Sequence, residues 1–375
     1  MAEGQSSLRK GNHSFDLGIP ICSSTILGMG AEANGSFCVF SGNKAHLSRN
    51  FGDLSYVENM DAFRAAVVKI MKTTGPIDVV ARDMHPQYSN REYAKEVADE
   101  AGAELVDVQH HAAHVYSAAV ENGIIDDDFC GIACDGTGYG SDGKIWGGEV
   151  FLGDKRVGSL EEQMMVGGDS AVMYPLRMLF GILTKFLSRD EIGKLEGFDP
   201  AEVSLMSRQA ELGFNVFHTT SCGRVLDAVS AMLGFCRKRT YDGEPAIVLE
   251  KHAIGAEPFE LLPVIKMKDR WILDTTRLFE FLYENRDSDK GRLSATAHHY
   301  VASGLFGIAS KYKKEIVFSG GVAYNSIIRG ILTDKGVKMN VDVACGDYGV
   351  SYGQCAYVGI KRGFFDVGTV PKYGW

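Results

Sequence analysis

A glycine-rich turn set inside an apolar run constrains this chain more than any other feature. Residues 129–134 predict a short buried strand that gives way to Asp135-Gly136-Thr137-Gly138-Tyr139-Gly140. Glycines at the carboxyl end of a strand leave backbone N–H groups free to face an anion with no side chain in the way, which predicts a phosphate cradle. A Walker loop is excluded because no Lys-Ser/Thr pair follows, and the G-x-G-x-x-G spacing of a dinucleotide fold is missing. An ordinary tight turn has the same composition, so the continuation decides. Residues 141–144 predict a second turn, 145–151 a strand, 153–155 a turn and 156–160 a further strand.

The same arrangement occurs once before. Residues 24–28 predict a strand, 28–35 a polar glycine turn and 36–40 the returning strand, with Ser41-Gly42-Asn43-Lys44 closing a hairpin into 45–48. Two copies of one module imply two similar lobes facing each other across a cleft. The predicted fold is α/β, of the actin-like ATPase type shared by sugar kinases, Hsp70 and actin, with two duplicated RNase H-like lobes and a central cleft. The expected boundaries are a flexible extension over 1–20, a first lobe over 21–126, and a second over 127–375 with a mostly helical insertion at about 161–290. A chain of 375 residues, 45% of them hydrophobic, can bury two such cores. The net charge of −9, from 39 basic and 48 acidic residues, argues against a large nucleic-acid footprint. The eight cysteines form no C-x-x-C pair, which excludes a zinc ribbon and predicts buried thiols in a reducing cytoplasm. No apolar run reaches the length of a membrane span, so a soluble cytoplasmic protein is expected.

Between the two modules the pattern predicts a helix over 60–71, a strand over 77–81, a capping box at Ser89–Glu92 opening a helix that stops at Gly102, and a strand over 104–108. That strand leads into Gln109-His110-His111-Ala112-Ala113-His114. A helix from His110 places His110 and His114 one turn apart on one face, a separation suited to two imidazoles sharing a metal ion. His111 faces elsewhere, open to a supporting role or a substrate contact. Two hydrogen-bonded histidines at a helix start have the same pattern, and a third ligand must come from far along the chain. Residues 316–318 predict a strand running into Ser319-Gly320-Gly321-Val322-Ala323-Tyr324-Asn325, whose glycines let an adenosine lie against backbone while Asn325 hydrogen-bonds it from a helix start. A last strand over 341–344 delivers Asp347, the distant carboxylate that would complete a two-His, one-Asp site with open positions.

Several of these stretches together resemble a known family. V-Q-H-H-A-A-H at 108–114, A-C-D-G-T-G-Y-G-S-D-G-K-I-W-G-G-E at 133–149, G-G-D-S-A at 167–171 with Pro175 and Arg177, T-S-C-G-R at 220–224, T-Y-D-G-E-P-A at 240–246 and F-S-G-G-V-A-Y-N at 318–325 resemble the carboxyl-terminal carbamoyltransferase region of HypF proteins of nickel–iron hydrogenase maturation. The resemblance runs from about residue 26 to 358 and extends to the wider family of TsaD and the antibiotic O-carbamoyltransferases. It implies an actin-like fold that holds a carbamoyl-adenylate and a divalent metal (Fe, Zn or Mg) and passes the carbamoyl group to an acceptor. It makes His110, His114 and Asp347 the metal ligands, places Asp135 and His111 as catalytic groups beside them, and assigns Gly136, Thr137, Gly138, Gly320, Gly321 and Asn325 to the nucleotide. Asp169, Glu244 and, in the first of the two turns, Glu32 are counted as further polar contacts of the nucleotide. For the HypF members the acceptor is the carboxyl-terminal Cys thiolate of HypE.

This sequence departs from the HypF pattern in three ways. Full-length members carry acylphosphatase-like, zinc-binding and YrdC-like parts ahead of this region, where here about twenty residues stand. The expectation is therefore an adenylate supplied in trans by a YrdC-like protein. Ala112 stands where a third His is usual, and Gly346-Asp347-Tyr348-Gly349 replaces N-D-G-G. The alternatives carried are small-molecule O-carbamoylation, a non-catalytic actin-like nucleotide-binding scaffold, and a small-molecule kinase, which leaves the histidine pair without a role.

Overall fold

Two mixed sheets, joined through a layer of two helices, organise the computed structural model, which describes residues 13–366. The first sheet is built from β1 (Phe15–Gly28), β2 (Cys38–Leu47), β3 (Val79–Asp83) and β4 (Glu104–Val108), in the order β2-β1-β3-β4. The antiparallel pair β1–β2 is followed by parallel neighbours, so helices must carry the chain back between them. These are α1 (Val57–Thr74) and α2 (Asn90–Ala101), with α3 (His110–Glu121) leaving the sheet after β4. Helix α2 buries Tyr93, Ala94, Val97 and Ala98, one stripe of a 3.6-residue period, and stops at Gly102 in the left-handed conformation. Helix α3 is buried from His110 through Val120, and its alanines suit a helix packed on every side.

The second sheet has nine strands. Its spine is β5 (Phe129–Tyr139), β6 (Ile145–Leu152) and β7 (Lys155–Leu160), an antiparallel meander. Into this spine the chain inserts β8 (Gln163–Val166), α4 (Asp169–Met173), α5 (Leu176–Leu183), α6 (Arg189–Ile192), α7 (Pro200–Leu212), β9 (Val216–Thr219), α8 (Cys222–Met232), α9 (Glu244–Ala253), β10 (Ile265–Met267), β11 (Trp271–Leu273) and α10 (Thr275–Glu284). Helix α11 (Lys290–Ala309) then returns the chain to β12 (Glu315–Ser319), which pairs in parallel with β5, and α12 (Ser326–Thr333) leads to β13 (Lys338–Met339). The last helix, α13 (Val350–Lys361), turns back and packs on β1, β2 and α3, joining the first sheet's core. The α/β actin-like fold is therefore present. The 161–290 segment is not purely helical, because β9 pairs with β6 and β11 extends the sheet beyond β7.

Five local expectations are corrected. Of the expected extension over 1–20, residues 1–12 lie outside the described residues, while Phe15 opens β1 and pairs with Leu47. As a result 38–47 is one strand rather than a hairpin, and the first sheet has two antiparallel strands where the second has three. The capping box at Ser89 does not form; its N–H and Oγ both donate to Glu32 Oε2, at 2.6 and 2.5 Å. Residues 341–344 are not a strand, because the N–H groups of Val341, Asp342 and Val343 donate to the Glu121 carboxylate at 3.2, 2.8 and 2.9 Å instead of to a neighbouring strand. Finally, β5 does not stop at Asp135. Cys134 pairs with Gly148 and Gly138 with Trp146, so Asp135, Gly136 and Thr137 bulge out opposite Gly147 alone.

Helices α3 and α13 cross with their backbones almost touching. A Cβ on Gly353 would lie 1.9 Å from the Ala113 carbonyl oxygen, one residue before His114. Gly353→Ala is expected to destabilise the fold by about 1–3 kcal/mol, typical of an overpacked core, measured by urea unfolding against wild type.

Candidate metal and nucleotide site

Four side chains from three separate elements meet at one point. Val108 ends β4, and Gln109 caps α3 by accepting from the Ala112 N–H at 2.9 Å, so the helix begins at His110 with a defined orientation. One turn on, His114 shares its face, and the two Nε2 atoms are 3.2 Å apart. The β5 bulge brings Asp135 Oδ2 to 3.4 Å from His110 Nε2 and 3.3 Å from His114 Nε2. Asp347, at the turn that opens α13, places Oδ1 at 3.6 and 3.7 Å from the same two nitrogens. One ligand atom from each of the four residues lies within 4.8 Å of the other three.

No protein hydrogen-bond partner reaches Asp135 Oδ2, although it is buried. A carboxylate oxygen in that position, facing two imidazole nitrogens, is one that a shared cation would satisfy. Donors about 2.1 Å from one ion in a tetrahedron stand about 3.4 Å apart, which these separations match. The residues fit a divalent ion. Asp347 is the donor with solvent access, its side chain 24% exposed against 1% for each histidine, so a further ligand would approach from its side. The expected His110, His114 and Asp347 stand together, and Asp135, expected beside them, lies within the same group of ligand atoms.

Charge within the cluster is balanced by proximity. Burial alone would lower the His110 pKa, but Asp83, Asp135 and Asp347 raise it well above the usual imidazole value, and His114 moves the same way through Asp135 and Asp347. Burial opposes ionisation of Asp135 and Asp347, yet the two histidines hold both carboxyls below their ordinary range. Asp83, which the sequence reading passed over, receives the His110 Nδ1 hydrogen bond at 2.8 Å with both groups buried. That contact leaves Nε2 aimed at the cluster.

His111 does not join the four. Gln109 Oε1 is fixed by the Ala112 N–H, so Gln109 Nε2 donates to Tyr139 O at 2.9 Å and to His111 Nδ1 at 3.1 Å. The proton of a neutral His111 is then on Nε2, which is buried without a partner against Gly138; a Cβ there would come 2.8 Å from it. Gly136, Thr137 and Gly138 lie in and after the bulge. Across from them, Gly320 at φ +100° lies against the Cys134 carbonyl, and Gly321 approaches Asp135, where a Cβ would be 2.9 Å from Oδ1. Thr137, Gly138 and Asp169 line a cleft of about 750 Å³, together with His85, Tyr88 and Arg239.

Three expected nucleotide contacts are placed differently. Asn325 is buried and caps α12, its Oδ1 accepting from the Ile328 N–H at 3.0 Å and its Nδ2 3.1 Å from His298 Nε2. Glu244 holds its own loop, accepting from Thr240 N and Oγ1 at 2.5 and 2.8 Å. Glu32 holds Ser89 at the start of α2. The first glycine turn is also not an open cradle, because Gly30 N donates to Gln354 Oε1 of α13 at 2.8 Å.

Comparison with known proteins places these elements in context. The family described as "HypF Kae1-like domain" matches residues 22–121, and "Carbamoyltransferase, Kae1-like Domain, second subdomain" matches 131–354. A probable carbamoyltransferase HypF of Methanocaldococcus jannaschii is 40% identical over 370 residues, covering 90% of this chain and 47% of the relative. A carbamoyltransferase HypF homolog of Cupriavidus necator is 28% identical, covering 90% of this chain and 92% of the relative. Among solved structures, full-length HypF in its phosphate- and nucleotide-bound form superposes with a TM-score of 0.84 at 28% identity, over 92% of this chain and 47% of that one. HypF of T. kodakarensis gives 0.83 at 30% identity, over 94% and 50%. The chain thus spans about half the length of the first relatives and structures it matches.

Asp83→Ala keeps all four donors and is expected to weaken metal binding about 10–100-fold, read by metal titration with calorimetry. The raised histidines stabilise the metal-free fold below about pH 6.5 and that contribution is lost as pH rises through their folded values; the lowered carboxyls contribute above about pH 3.8 and lose it as pH falls through theirs. Metal-free protein should therefore be most stable between those limits, and metal affinity should rise with pH as bound protons are displaced. Thermal unfolding from pH 4 to 9 with and without metal checks both.

Proposed function

The chain belongs to the HypF carbamoyltransferase family through its Kae1-like domain, and on that premise we propose that it transfers a carbamoyl group from carbamoyl-adenylate to an acceptor at a metal site made by His110, His114, Asp135 and Asp347. The convergence of those four donors from three separate elements carries the reading. A divalent ion held there (Fe, Zn or Mg) supplies Lewis-acid polarisation of the carbamoyl carbonyl. The chain's own residues do the remaining work. Asp83 retains the Nδ1 proton of His110 and keeps its ring turned to the cluster. Gly136, Thr137, Gly138, Gly320 and Gly321 hold the nucleotide against backbone, where no side chain blocks the phosphate, while the Gly136 N–H is donated to Asp135 Oδ1 at 2.7 Å. His111 presents Nε2–H beside Gly138 as a hydrogen-bond donor to the bound ligand.

The acceptor reaches the bulge through the cleft of about 750 Å³ that Thr137 and Gly138 line. In the proposal it is the carboxyl-terminal Cys of a HypE-like protein, whose thiolate needs positioning more than activation. A YrdC-like protein supplies carbamoyl-adenylate in trans. We place the protein in the cytoplasm: among the described residues no helix is long and apolar enough to cross a membrane, and all eight cysteines are buried free thiols. The cleft's volume also falls within the range of small-molecule sites, which supports a second reading as a small-molecule O-carbamoyltransferase.

His110→Ala, His114→Ala or Asp135→Ala should each lower transfer by about 10³-fold, matching the several kcal/mol a Lewis acid contributes. Mass spectrometry of a Cys-ending peptide and of small hydroxyl acceptors, with a YrdC-like enzyme supplying adenylate, reads out both rate and acceptor. Full activity after exhaustive chelation would overturn the mechanism.

A further inference from the structure

Helix α8 brings to the bulge a charged group with no part in the reading above. Its leading turn is fastened there: Ser221 Oγ donates to the Gly136 carbonyl and lies 3.2 Å from that of Asp135, and Thr220 Oγ1 donates to the buried Glu149. The contact is backbone to backbone, since a Cβ on Gly223 would come 2.9 Å from Gly136 Cα. The next residue, Arg224, is 5% exposed. Its Nη2 lies 3.4 Å from where a Gly136 Cβ would stand, so the guanidinium reaches the middle of the bulge.

This guanidinium is incompletely satisfied. Nη1 is 2.9 Å from Asp227 Oδ2, close enough for charge pairing, but the two are out of hydrogen-bonding alignment. Arg224 Nε and Nη1 and both Asp227 oxygens are buried with no hydrogen-bond partner. Burial, set against the Arg224 charge, also raises the Asp227 pKa, which weakens Asp227 as a counter-ion. Each two-donor edge of the guanidinium that includes Nη2 thus holds one unpartnered nitrogen, Nε on one and Nη1 on the other, and such a buried group is costly to maintain and suits an anion that presents more than one oxygen. The positive end of the α8 dipole adds to the attraction.

We propose that Arg224 forms a phosphoryl-binding site over Gly136, taking oxygens of the phosphate of the nucleotide held at 136–138; this rests on the nucleotide reading of that turn. The group contacts ligand directly, with Asp227 Oδ2 2.9 Å from its Nη1. The test is calorimetric binding of AMP, adenosine and inorganic phosphate to metal-loaded wild type, Arg224→Lys, and the charge-neutral double variant Arg224→Met/Asp227→Asn, each first checked by thermal unfolding. The expected result is a loss of AMP affinity of about 10- to 100-fold in both variants, the size of a charge-assisted hydrogen bond, with adenosine binding unchanged and phosphate binding lost. Unchanged AMP affinity in both variants overturns the Arg224 assignment and leaves the nucleotide reading standing. Equal loss of AMP and adenosine assigns Arg224 to packing and overturns it as well. A wild-type protein that binds neither AMP nor adenosine overturns both readings.

Discussion

The near-contact of α3 and α13 is the constraint on which the rest of the molecule depends. With Gly353 against the Ala113 carbonyl, the two helices approach as closely as backbones can, and their small residues leave the layer between the sheets thin. One consequence is positional. The start of α3 carries His110 and His114, and the turn that opens α13 carries Asp347, so the crossing itself brings three donors to one end of the layer. The β5 bulge then has only a short distance to supply the fourth.

Burying two imidazoles and two carboxylates together is tolerable because each makes the other's charge affordable in a region of low dielectric. Each carboxyl is held ionised by the imidazoles beside it, and each imidazole is held protonated by the carboxyls until a cation takes the place of the protons. Asp83 sits behind His110 and sets the direction of its ring. Arg224 and Asp227 show a different balance on the far side of the bulge, where an ion pair lacks aligned hydrogen bonds and the cation faces the glycine turn.

Much of this was legible in the sequence, and what was missed has a common cause. Strand-to-glycine transitions, the i, i+4 histidines and an Asp in a glycine turn follow local patterns, and they point to the fold and to three of the four clustered side chains. Asp135 reads in the sequence only as a group beside the histidines, because it takes the three-against-one bulge opposite Gly147 to set its carboxylate among them. Asp83 precedes His110 by 27 positions and no local pattern joins them. Residues 341–344 have strand composition, but Glu121 satisfies their N–H groups, and Ser89 has a capping sequence that Glu32 diverts. The opening half of β1 looked like a polar tail because only alternate residues are shielded there. In each case a side chain distant in sequence competed with a local rule and prevailed.

The carboxylate of Glu121 has a consequence for how the molecule can move. It lies at the last residue of α3, a helix roughly 18 Å long by its residue count, and it grips the segment that runs on to Asp347, while the opening turns of the same helix hold both histidines. Helix α3 thus works as a rod with the histidines rooted at one tip and the Asp347 tether at the other. Lobes that hinge around that rod would carry His110, His114 and Asp347 together, so the spacing that can change on opening is the one to Asp135 on β5.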